Sequence, residues 1–349
     1  MFLFRAIPFN NNYYFYFVSY LILTLDIISV DCRLPRRRNT GRKPLDEDIN
    51  NLIQLYIGVE KENGEYLLVK DDQSNGHDLV NCNVDDKFAV IVHGWRESCA
   101  TVWVKELITN LRKYRGGCLM CFDYSEYQSR LSDRYRPLVN HFNVIANALY
   151  DVLVGLEEVG FDPKNGFIFG FSYGARLAVQ SAGAFGYKKI GRIDGKFNIK
   201  IRYHSYFHLN LIAVCDPARP FFDNGTGKRR FNLVDPKFAA KHVQCIHTSS
   251  DKGTLARNCH IDWVMGKCGK EQVAASDPPF GSHGLCPHFY NSAFENNFFA
   301  IDKPIECYSN REALHVPLGF KMGYLENRTN EVRGDVYART SDKYPYNVL

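Results

Sequence analysis

Residues 167–174 read Phe-Ile-Phe-Gly-Phe-Ser-Tyr-Gly, and this stretch decides the fold. Its first half is an apolar run typical of a buried strand, and its second half has the pattern G-x-S-x-G. In that pattern the serine occupies a tight turn from a strand to a helix, where Gly170 and Gly174 allow close packing. Small residues over 175–182 predict the helix, so the hydroxyl of Ser172 is expected above the edge of a sheet. The alternative is a glycine-rich turn with a structural role only.

Strands and helices alternate on both sides of this turn. Uninterrupted apolar runs predict buried parallel strands, and apolar residues at helical spacing predict amphipathic helices. This alternation predicts an α/β fold, with a mostly parallel central sheet and helices on both faces, in one domain over residues 51–349. The predicted strands are 88–92, 118–122, 167–169, 209–214 and 243–246, and the predicted helices are 102–111, 138–156 and 175–182.

The composition is that of a globular protein, because 45% of the 349 residues are hydrophobic and 23% are charged. These values exclude a chain that is disordered throughout, a collagen-like chain and a polytopic membrane protein. The net charge is only +5, and no Lys/Arg block occurs in the part expected to fold. Nucleic acid is therefore not an expected partner.

The first 32 residues have the features of a signal peptide. Arg5 precedes the apolar run Tyr13–Leu25, which is short for a membrane span and about right for the core of a signal peptide. A signal anchor is the alternative. Residues 33–50 are polar and basic, and we expect them to form a flexible segment. The mature chain is therefore predicted to be secreted and extracellular, without an integral membrane span.

Export to an oxidising compartment favours disulfide bonds. If Cys32 leaves with the signal peptide, ten of the eleven cysteines remain, an even number whose pairing the sequence does not specify. Glycosylation sequons at Asn224 and Asn327 also fit an exported glycoprotein.

The segment Val92-His93-Gly94-Trp95 ends the first of the predicted buried strands. An enzyme that transfers acyl groups needs two N–H groups aimed at the developing oxyanion. In a site built on G-x-S-x-G, one N–H follows the nucleophile and the other comes from an early loop of the His-Gly type. These positions predict the backbone N–H groups of Tyr173 and Trp95. The alternative is a core histidine followed by a turn glycine.

A serine hydroxyl needs a histidine base, which in turn needs a carboxylate to orient it. Asp216 follows the apolar run 211–215 and precedes a proline, so it is expected at the carboxyl end of a strand, where sites in parallel sheets lie. The residues alone leave the base open among six downstream histidines, at positions 242, 247, 260, 283, 288 and 315.

Several of these motifs, in this order, resemble the pancreatic-lipase family, especially its single-domain insect members and phospholipases A1. The resemblance implies an α/β-hydrolase fold and a serine hydrolase that cleaves carboxylic esters of lipids. It also implies Asp216 as the triad acid and His288, two positions after Cys286, as the triad base. The matching motifs are Val92-His93-Gly94-Trp95, Gly170–Gly174, Asp216-Pro217-Ala218, Ile246-His247-Thr248, His260-Ile261-Asp262-Trp263, Cys286-Pro287-His288 and Met322-Gly323-Tyr324.

The chain departs from the family pattern without losing a catalytic side chain. Phe171 and Tyr173 replace the usual His and Leu around the nucleophile, and Arg219 replaces the Gly after Asp-Pro-Ala. Pro287 stands where the family has a Ser directly before the catalytic histidine. These differences are expected to tune specificity or to lower activity.

In the family, a lid bounded by a disulfide lies just before the catalytic histidine. The resemblance therefore implies a lid between Cys268 and Cys286 that includes residues 277–281. An ordinary surface loop is the alternative. Cys118 and Cys121 have redox or metal spacing, but they fall in a predicted buried strand and would face opposite sides. We therefore interpret both cysteines as structural.

The spacing from Ser172 to Asp216 is 44 positions, roughly twenty longer than the resemblance implies. Without Gly195–Val214, Asp194 would be joined directly to Cys215, and the sequence before Asp216 would resemble that of the family. We hypothesise that this segment is an insertion, either genuine or translated intron sequence. If it is genuine, 209–214 supplies the strand before Asp216. Peptides spanning 195–214 in the secreted protein would exclude translated intron sequence.

The sequence thus predicts a secreted lipid hydrolase, of the triacylglycerol lipase or phospholipase A1 type, with a Ser172, Asp216 and His288 triad. No metal or organic cofactor is expected, and the partner is a lipid ester at a lipid–water interface. The alternative is a catalytically silent lipid-binding or storage protein on the same scaffold.

Overall fold

The computed structural model describes residues 49–62, 66–71, 82–187, 211–223, 231–276 and 281–348. The predicted signal peptide, with its signal-anchor alternative, and residues 33–48 of the basic segment lie outside these ranges. In the part of the chain that is described, no helix is both long enough and apolar enough to cross a membrane.

A nine-stranded sheet in the order β2-β1-β4-β3-β5-β6-β7-β8-β9 forms the centre of the domain. β1 runs antiparallel to both of its neighbours, and every pair from β4 to β9 is parallel, which confirms the mostly parallel sheet. The strands are β1 (Gln54–Glu60), β2 (Tyr66–Lys70), β3 (Phe88–Val92), β4 (Cys118–Asp123), β5 (Gly166–Phe171), β6 (Leu211–Cys215), β7 (His242–His247), β8 (Ile261–Met265) and β9 (Gly334–Ala338).

Helices cover both faces of the sheet, because successive strand residues point to opposite sides and both sides are apolar. Ile168 belongs to the core under the helices Phe142–Glu158 and Tyr173–Tyr187. Phe169 instead contacts Trp103 and Tyr290, in helices on the other face. The helices are α1 (Ile49–Leu52), α2 (Val102–Tyr114), α3 (Ser125–Arg130), α4 (Tyr135–Asn140), α5 (Phe142–Glu158), α6 (Tyr173–Tyr187) and α7 (Gly281–Ser292), with short 3₁₀ turns at Pro163–Asn165 and Pro236–Phe238.

The predicted long helix over 138–156 is two helices, α4 and α5, separated at His141. His141 leaves the helical region, with φ −98° and ψ 13°, and its Nδ1 lies 2.5 Å from the hydroxyl of Tyr127. The apolar positions continue on the same side of both helices, so helical spacing did not reveal the break.

Part of the hypothesised insertion is a strand of the central sheet. Leu211–Cys215 forms β6, which pairs with β5 on one side and β7 on the other, and four of its five residues are buried. Residues 211–214 therefore supply the strand that leads to Asp216, as expected for a genuine insertion, and 195–210 lie outside the described residues.

Ten cysteines among the described residues form five disulfides, and two of these bonds show that Cys118 and Cys121 are structural. Cys118 pairs with Cys82 and Cys121 pairs with Cys99, and the two side chains belong to cores on opposite faces of the sheet. Three residues apart on a strand, they cannot serve one site.

The predicted Cys268–Cys286 pair is wrong. Cys268 pairs with Cys307, and Cys286 pairs with Cys215. Cys286 is buried in α7 above the end of β6, where Cys215 meets it in the core. No disulfide therefore closes the predicted lid, and its residues 277–280 lie outside the described part of the chain. The fifth disulfide joins Cys245 to Cys259.

Candidate active site

Ser172 occupies the turn between β5 and α6, as its motif predicts. Its φ is +56°, a left-handed conformation that costs energy in a residue with a Cβ. A Cβ on Gly170 would lie 2.7 Å from the carbonyl oxygen of Gly174, and one on Gly174 would lie 2.2 Å from that of His93. The two glycines therefore let β5, α6 and the end of β3 approach closely enough to hold the strained serine.

Three side chains form a continuous hydrogen-bonded chain at the carboxyl edge of the sheet. His283 Nε2 lies 2.8 Å from Ser172 Oγ, and His283 Nδ1 lies 2.6 Å from Asp216 Oδ2. Asp216 directly follows β6 and has φ 41°, so its backbone is also left-handed. His283 lies in the first turn of α7. All three residues are less than 9% exposed.

The carboxylate of Asp216 is held by groups that favour its charge. Oδ1 accepts hydrogen bonds from the backbone N–H groups of Thr248 at 2.9 Å and Ser249 at 3.3 Å, and Oδ2 accepts one from Ser249 Oγ at 2.5 Å. Burial alone would raise the pKa of Asp216, but its bonds to His283, Ser249 and Thr248 outweigh burial and lower the pKa. Asp216 is therefore ionised at neutral pH and can orient the imidazole.

The structure places His283 rather than His288 in contact with Ser172, so the predicted histidine is wrong. Five residues along a helix turn a side chain by about 140° and displace it by about 7.5 Å. His288 instead lines a groove with Val102 of α2 and Tyr344 of the C-terminal segment. One signal could have found the base: Ser282 stands directly before His283, which satisfies the Ser-His order that Pro287 breaks. The spacing from Cys286 led to the wrong histidine, because Cys286 pairs with Cys215 and not with Cys268.

Side chains hold the loop around Trp95 in place. Glu97 accepts the N–H of Gly94 at 2.7 Å and Gln128 accepts that of Arg96 at 2.9 Å, which fixes the loop on both sides of Trp95. None of the described residues accepts a hydrogen bond from the N–H of Trp95 or from that of Tyr173, the first residue of α6. Both donors are thus free to bind an oxyanion.

His93, beside this loop, is a buried core residue. Its Nε2 lies 3.2 Å from Asp123, and its ring stacks on Tyr124 at 4.2 Å. Asp123 also accepts the N–H of Cys99 at 2.8 Å. His93 thus ties the oxyanion loop to the end of β4 and makes no contact with Ser172.

Aromatic rings surround the nucleophile turn. Tyr135 lies 5.2 Å from Trp95, 6.3 Å from Tyr173 and 6.1 Å from Phe221, between ring centroids, and Phe221 is 43% exposed. On the opposite side, the ring of Phe171 lies 4.9 Å from that of His283. An apolar chain bound beside Ser172 would therefore meet aromatic carbon rather than charge.

Another buried His–Asp pair lies one strand away from His283 and Asp216. His247 Nε2 lies 2.9 Å from Asp262 Oδ1, while Asp262 Oδ2 accepts Arg311 at 2.8 Å and the N–H of Cys259 at 3.1 Å. Burial lowers the pKa of His247, and the nearby Arg257 lowers it further. This pair is a cross-link between two neighbouring strands.

Neither candidate metal cluster among the described residues offers three free ligands. Cys245, His247 and Asp262 lie together, but the sulfur of Cys245 is bonded to Cys259. In the second cluster Glu306 lies beside Cys268 and Cys307, which form a disulfide with each other. A disulfide sulfur is not a thiolate and does not replace one as a metal ligand.

The family model described as Lipase matches residues 33–268. This range contains Ser172, Asp216 and the oxyanion loop, and it ends before His283. The model thus covers more than half of the chain, including two of the three residues in the hydrogen-bonded chain.

Curated relatives carry lipase names at low identity. Pancreatic lipase-related protein 2 of Cavia porcellus is 25% identical over 268 residues, which cover 71% of this chain and 55% of that protein. The protein of the same name from Bos taurus is 24% identical over 205 residues, covering 58% of this chain and 38% of that protein. Lipase member H of Danio rerio is 22% identical over 266 residues, covering 74% and 52%. The chain spans between 38% and 55% of the length of these relatives.

Two solved structures are similar to part of this chain at low sequence identity. Est1E from Butyrivibrio proteoclasticus is 11% identical, with a TM-score of 0.33 over 56% of this chain and 72% of that one. Dienelactone hydrolase from Anabaena variabilis is 12% identical, with a TM-score of 0.32 over 56% and 73%.

Proposed function

The chain belongs to the lipase family, and on that premise we propose that it is a secreted serine hydrolase that cleaves carboxylic esters of lipids at a lipid–water interface. The observation that carries the proposal is the hydrogen-bonded chain from Ser172 through His283 to Asp216. Nucleophile, base and carboxylate at these distances are the parts that acyl transfer requires.

The first half of the reaction forms an acyl-enzyme. Ser172 Oγ attacks the ester carbonyl carbon while His283 Nε2 takes the hydroxyl proton. Asp216 holds the imidazole in the required tautomer and stabilises its protonated form. The N–H groups of Trp95 and Tyr173 donate to the oxyanion, and the alcohol or lysolipid leaves with the proton from His283.

The second half releases the fatty acid. Water loses a proton to His283 Nε2 and attacks the acyl carbon, and the oxyanion again binds the N–H groups of Trp95 and Tyr173. The intermediate collapses, and the proton on His283 returns to Ser172 Oγ. No step needs a metal or an organic cofactor.

The substrate proposed is a long-chain ester, such as a triacylglycerol or the sn-1 ester of a phospholipid. The aromatic surface formed by Trp95, Tyr135 and Phe221 supports this choice, because moving an acyl chain from water to such a surface lowers its free energy. Product analysis on mixed liposomes and on triolein emulsions compares the two classes directly. Release of lysophospholipid from liposomes would identify the phospholipase A1 type.

Secretion is supported by the five disulfides. Asn327, in an exposed turn before Arg328 and Thr329, is proposed as a glycosylation site of the exported chain. Expression in insect cells should place the protein in the medium, and removal of N-glycans should reduce its mass. The Asn327→Gln variant should lack that part of the mass change.

The proposed function is tested with Ser172→Ala. This change removes the nucleophile and little volume, so we expect ester hydrolysis to fall at least about 1,000-fold while secretion and folding are retained. A fluorophosphonate probe should label the wild type at Ser172 and leave the variant unlabelled. A folded wild type that neither hydrolyses esters nor reacts with the probe would contradict the proposal and favour a lipid-binding or storage protein.

A further inference from the structure

A disulfide links the strand that carries Asp216 to the helix that carries His283. Cys215 is the last residue of β6 and directly precedes Asp216. Cys286, its partner, lies in α7 three residues after His283, which is nearly one helical turn. Both cysteines are fully buried. The link therefore joins the acid and the base of the proposed triad by the shortest covalent route between their two elements.

Cys215 also contacts the nucleophile. Its carbonyl oxygen accepts the backbone N–H of Ser172 at 2.9 Å. Its strand position is fixed from both sides, because it pairs with Phe171 of β5 and Ile246 of β7. One residue in the middle of a parallel sheet is thus connected to all three members of the triad.

The turn of α7 that carries His283 is intrinsically weak. Gly284 directly follows His283, and glycine costs about 1 kcal/mol relative to alanine inside a helix. Pro287 lies inside the same helix and has no N–H, so the carbonyl of His283 receives no helical hydrogen bond from that position. Hydrogen bonds within the helix therefore do little to fix the position of the His283 imidazole.

Contacts outside the helix hold the turn from both sides. The backbone N–H of Gln272 donates to Ser282 Oγ at 2.9 Å, and Phe171 packs against the ring of His283. After His283, Leu285 is buried in the core, and the bond from Cys286 to Cys215 is the first covalent connection to the sheet.

We propose that the Cys215–Cys286 disulfide is a positioning clamp for catalysis, which holds His283 between Ser172 and Asp216 and offsets the weakness of the first turn of α7. The proposal rests on the function proposed above. It distinguishes this disulfide from the other four, because none of those joins two elements that both carry a triad residue.

The test compares two double variants that each lose one disulfide. Cys215→Ala/Cys286→Ala removes the clamp. Cys82→Ala/Cys118→Ala is the matched control, because Cys118 begins β4 at the edge of the sheet opposite Ser172. Both variants should unfold at lower temperature, so kinetics are measured where circular dichroism shows each to be folded.

Loss of the clamp should lower kcat by about 10- to 100-fold and leave KM within about twofold, because the base is misplaced while the substrate surface is intact. Fluorophosphonate labelling of Ser172 should slow in parallel. The far-downfield proton resonance of the His283–Asp216 hydrogen bond should broaden or disappear. The control should keep kcat within about twofold and retain the resonance.

Two further variants separate positioning from folding. Cys215→Val/Cys286→Ala restores volume with residues suited to a strand and a helix, and it should show the same loss of kcat. Adding Pro287→Ala returns a hydrogen-bond donor to the carbonyl of His283 and should recover several-fold of the lost kcat.

The outcomes separate the clamp from the proposed function. A folded clamp variant with wild-type kcat and an unchanged resonance overturns the clamp, and so does a control that loses kcat equally. A wild type without ester hydrolysis overturns the proposed function and the clamp with it. Selective loss of kcat, with recovery by Pro287→Ala, supports both.

Discussion

Two of the three buried His–Asp pairs among the described residues stand one strand apart, and the groups around each pair differ. His283 and Asp216 join at 2.6 Å, and His247 and Asp262 join at 2.9 Å. In the first pair the second imidazole nitrogen faces Ser172. In the second pair, Nδ1 of His247 is buried and has no hydrogen-bond partner among the described residues.

The carboxylates differ as well. Asp216 receives only N–H and O–H donors besides its histidine, so its charge remains available to the imidazole. Asp262 also binds the guanidinium of Arg311, which neutralises much of that charge. Chemically identical residue pairs therefore suit different roles, one as an acid–base relay and the other as a cross-link between strands.

The largest expected effect comes from the histidines. His283→Ala should lower kcat/KM at least about 1,000-fold, because Ser172 loses the group that accepts its proton. His288→Ala is the matched control five residues along α7, and it should stay within about threefold of wild type. Initial rates on a short-chain p-nitrophenyl ester measure both. Activity lost in His288→Ala and kept in His283→Ala would reverse the assignment of the base.

The second largest effect is expected from substitution of the carboxylates. Asp216→Asn should lower kcat by about 1,000- to 10,000-fold, because an amide favours the wrong tautomer of His283 and cannot stabilise its protonated form. Asp262→Asn should leave kcat within about tenfold and lower the free energy of unfolding by ~1–3 kcal/mol, since Arg311 loses its partner. Rates and urea unfolding give the two quantities. Equal loss of kcat in both variants would contradict a division of roles between the pairs.

A smaller effect is expected at Ser249, whose hydroxyl donates to Asp216 and accepts the N–H of Gly253. Ser249→Ala should lower kcat about fivefold, equivalent to ~1 kcal/mol for one hydrogen bond. Ser341→Ala, which alters an exposed serine near the C-terminus, is the control. The two kcat values are compared only if the two variants have equal KM. A Ser249→Ala kcat equal to that of Ser341→Ala would contradict a role of Ser249 in holding Asp216.

The smallest effect concerns pH and His247. Burial lowers the pKa of His247 below its ordinary value of 6.5, so below that pH the unfolded chain binds a proton that the folded protein resists. The free energy of unfolding should therefore fall as the pH drops below 6.5, by up to ~1.4 kcal/mol per pH unit from this group. His247→Gln should flatten this slope. Urea unfolding at pH 7 and pH 5.5 measures it, and an unchanged slope would contradict a neutral, buried imidazole.

The positions of Ser172 and Asp216 could be predicted because each residue follows a strand directly. An apolar strand, a glycine on each side and a following helix predict where the hydroxyl of Ser172 lies, and the run before Asp216 predicts the same edge of the sheet. The oxyanion loop after Phe88–Val92 follows by the same reasoning. Each of these positions depends on a few neighbouring residues, which is why they could be read locally.

The base could not be located in this way. His283 and His288 lie in one helix, and which of them faces Ser172 depends on how α7 is rotated against the sheet. That rotation is determined by contacts with distant residues, and the bond from Cys286 to Cys215 is one of them. The same contacts overturned the predicted Cys268–Cys286 pair. The break at His141 was missed for a related reason, since apolar spacing continues across it.

The sequence by itself determined the alternation of strands and helices, the mostly parallel sheet, the strained serine turn and the carboxylate one strand away, because these depend on local spacing and on glycine. Only the tertiary structure decided which histidine completes the site, which cysteines pair and which His–Asp pair meets a hydroxyl. The physical reason is that a hydrogen bond or a disulfide requires atoms within a few ångströms. His283 is 67 positions from Asp216 and 111 from Ser172, and it reaches them only when the sheet and its helices have packed.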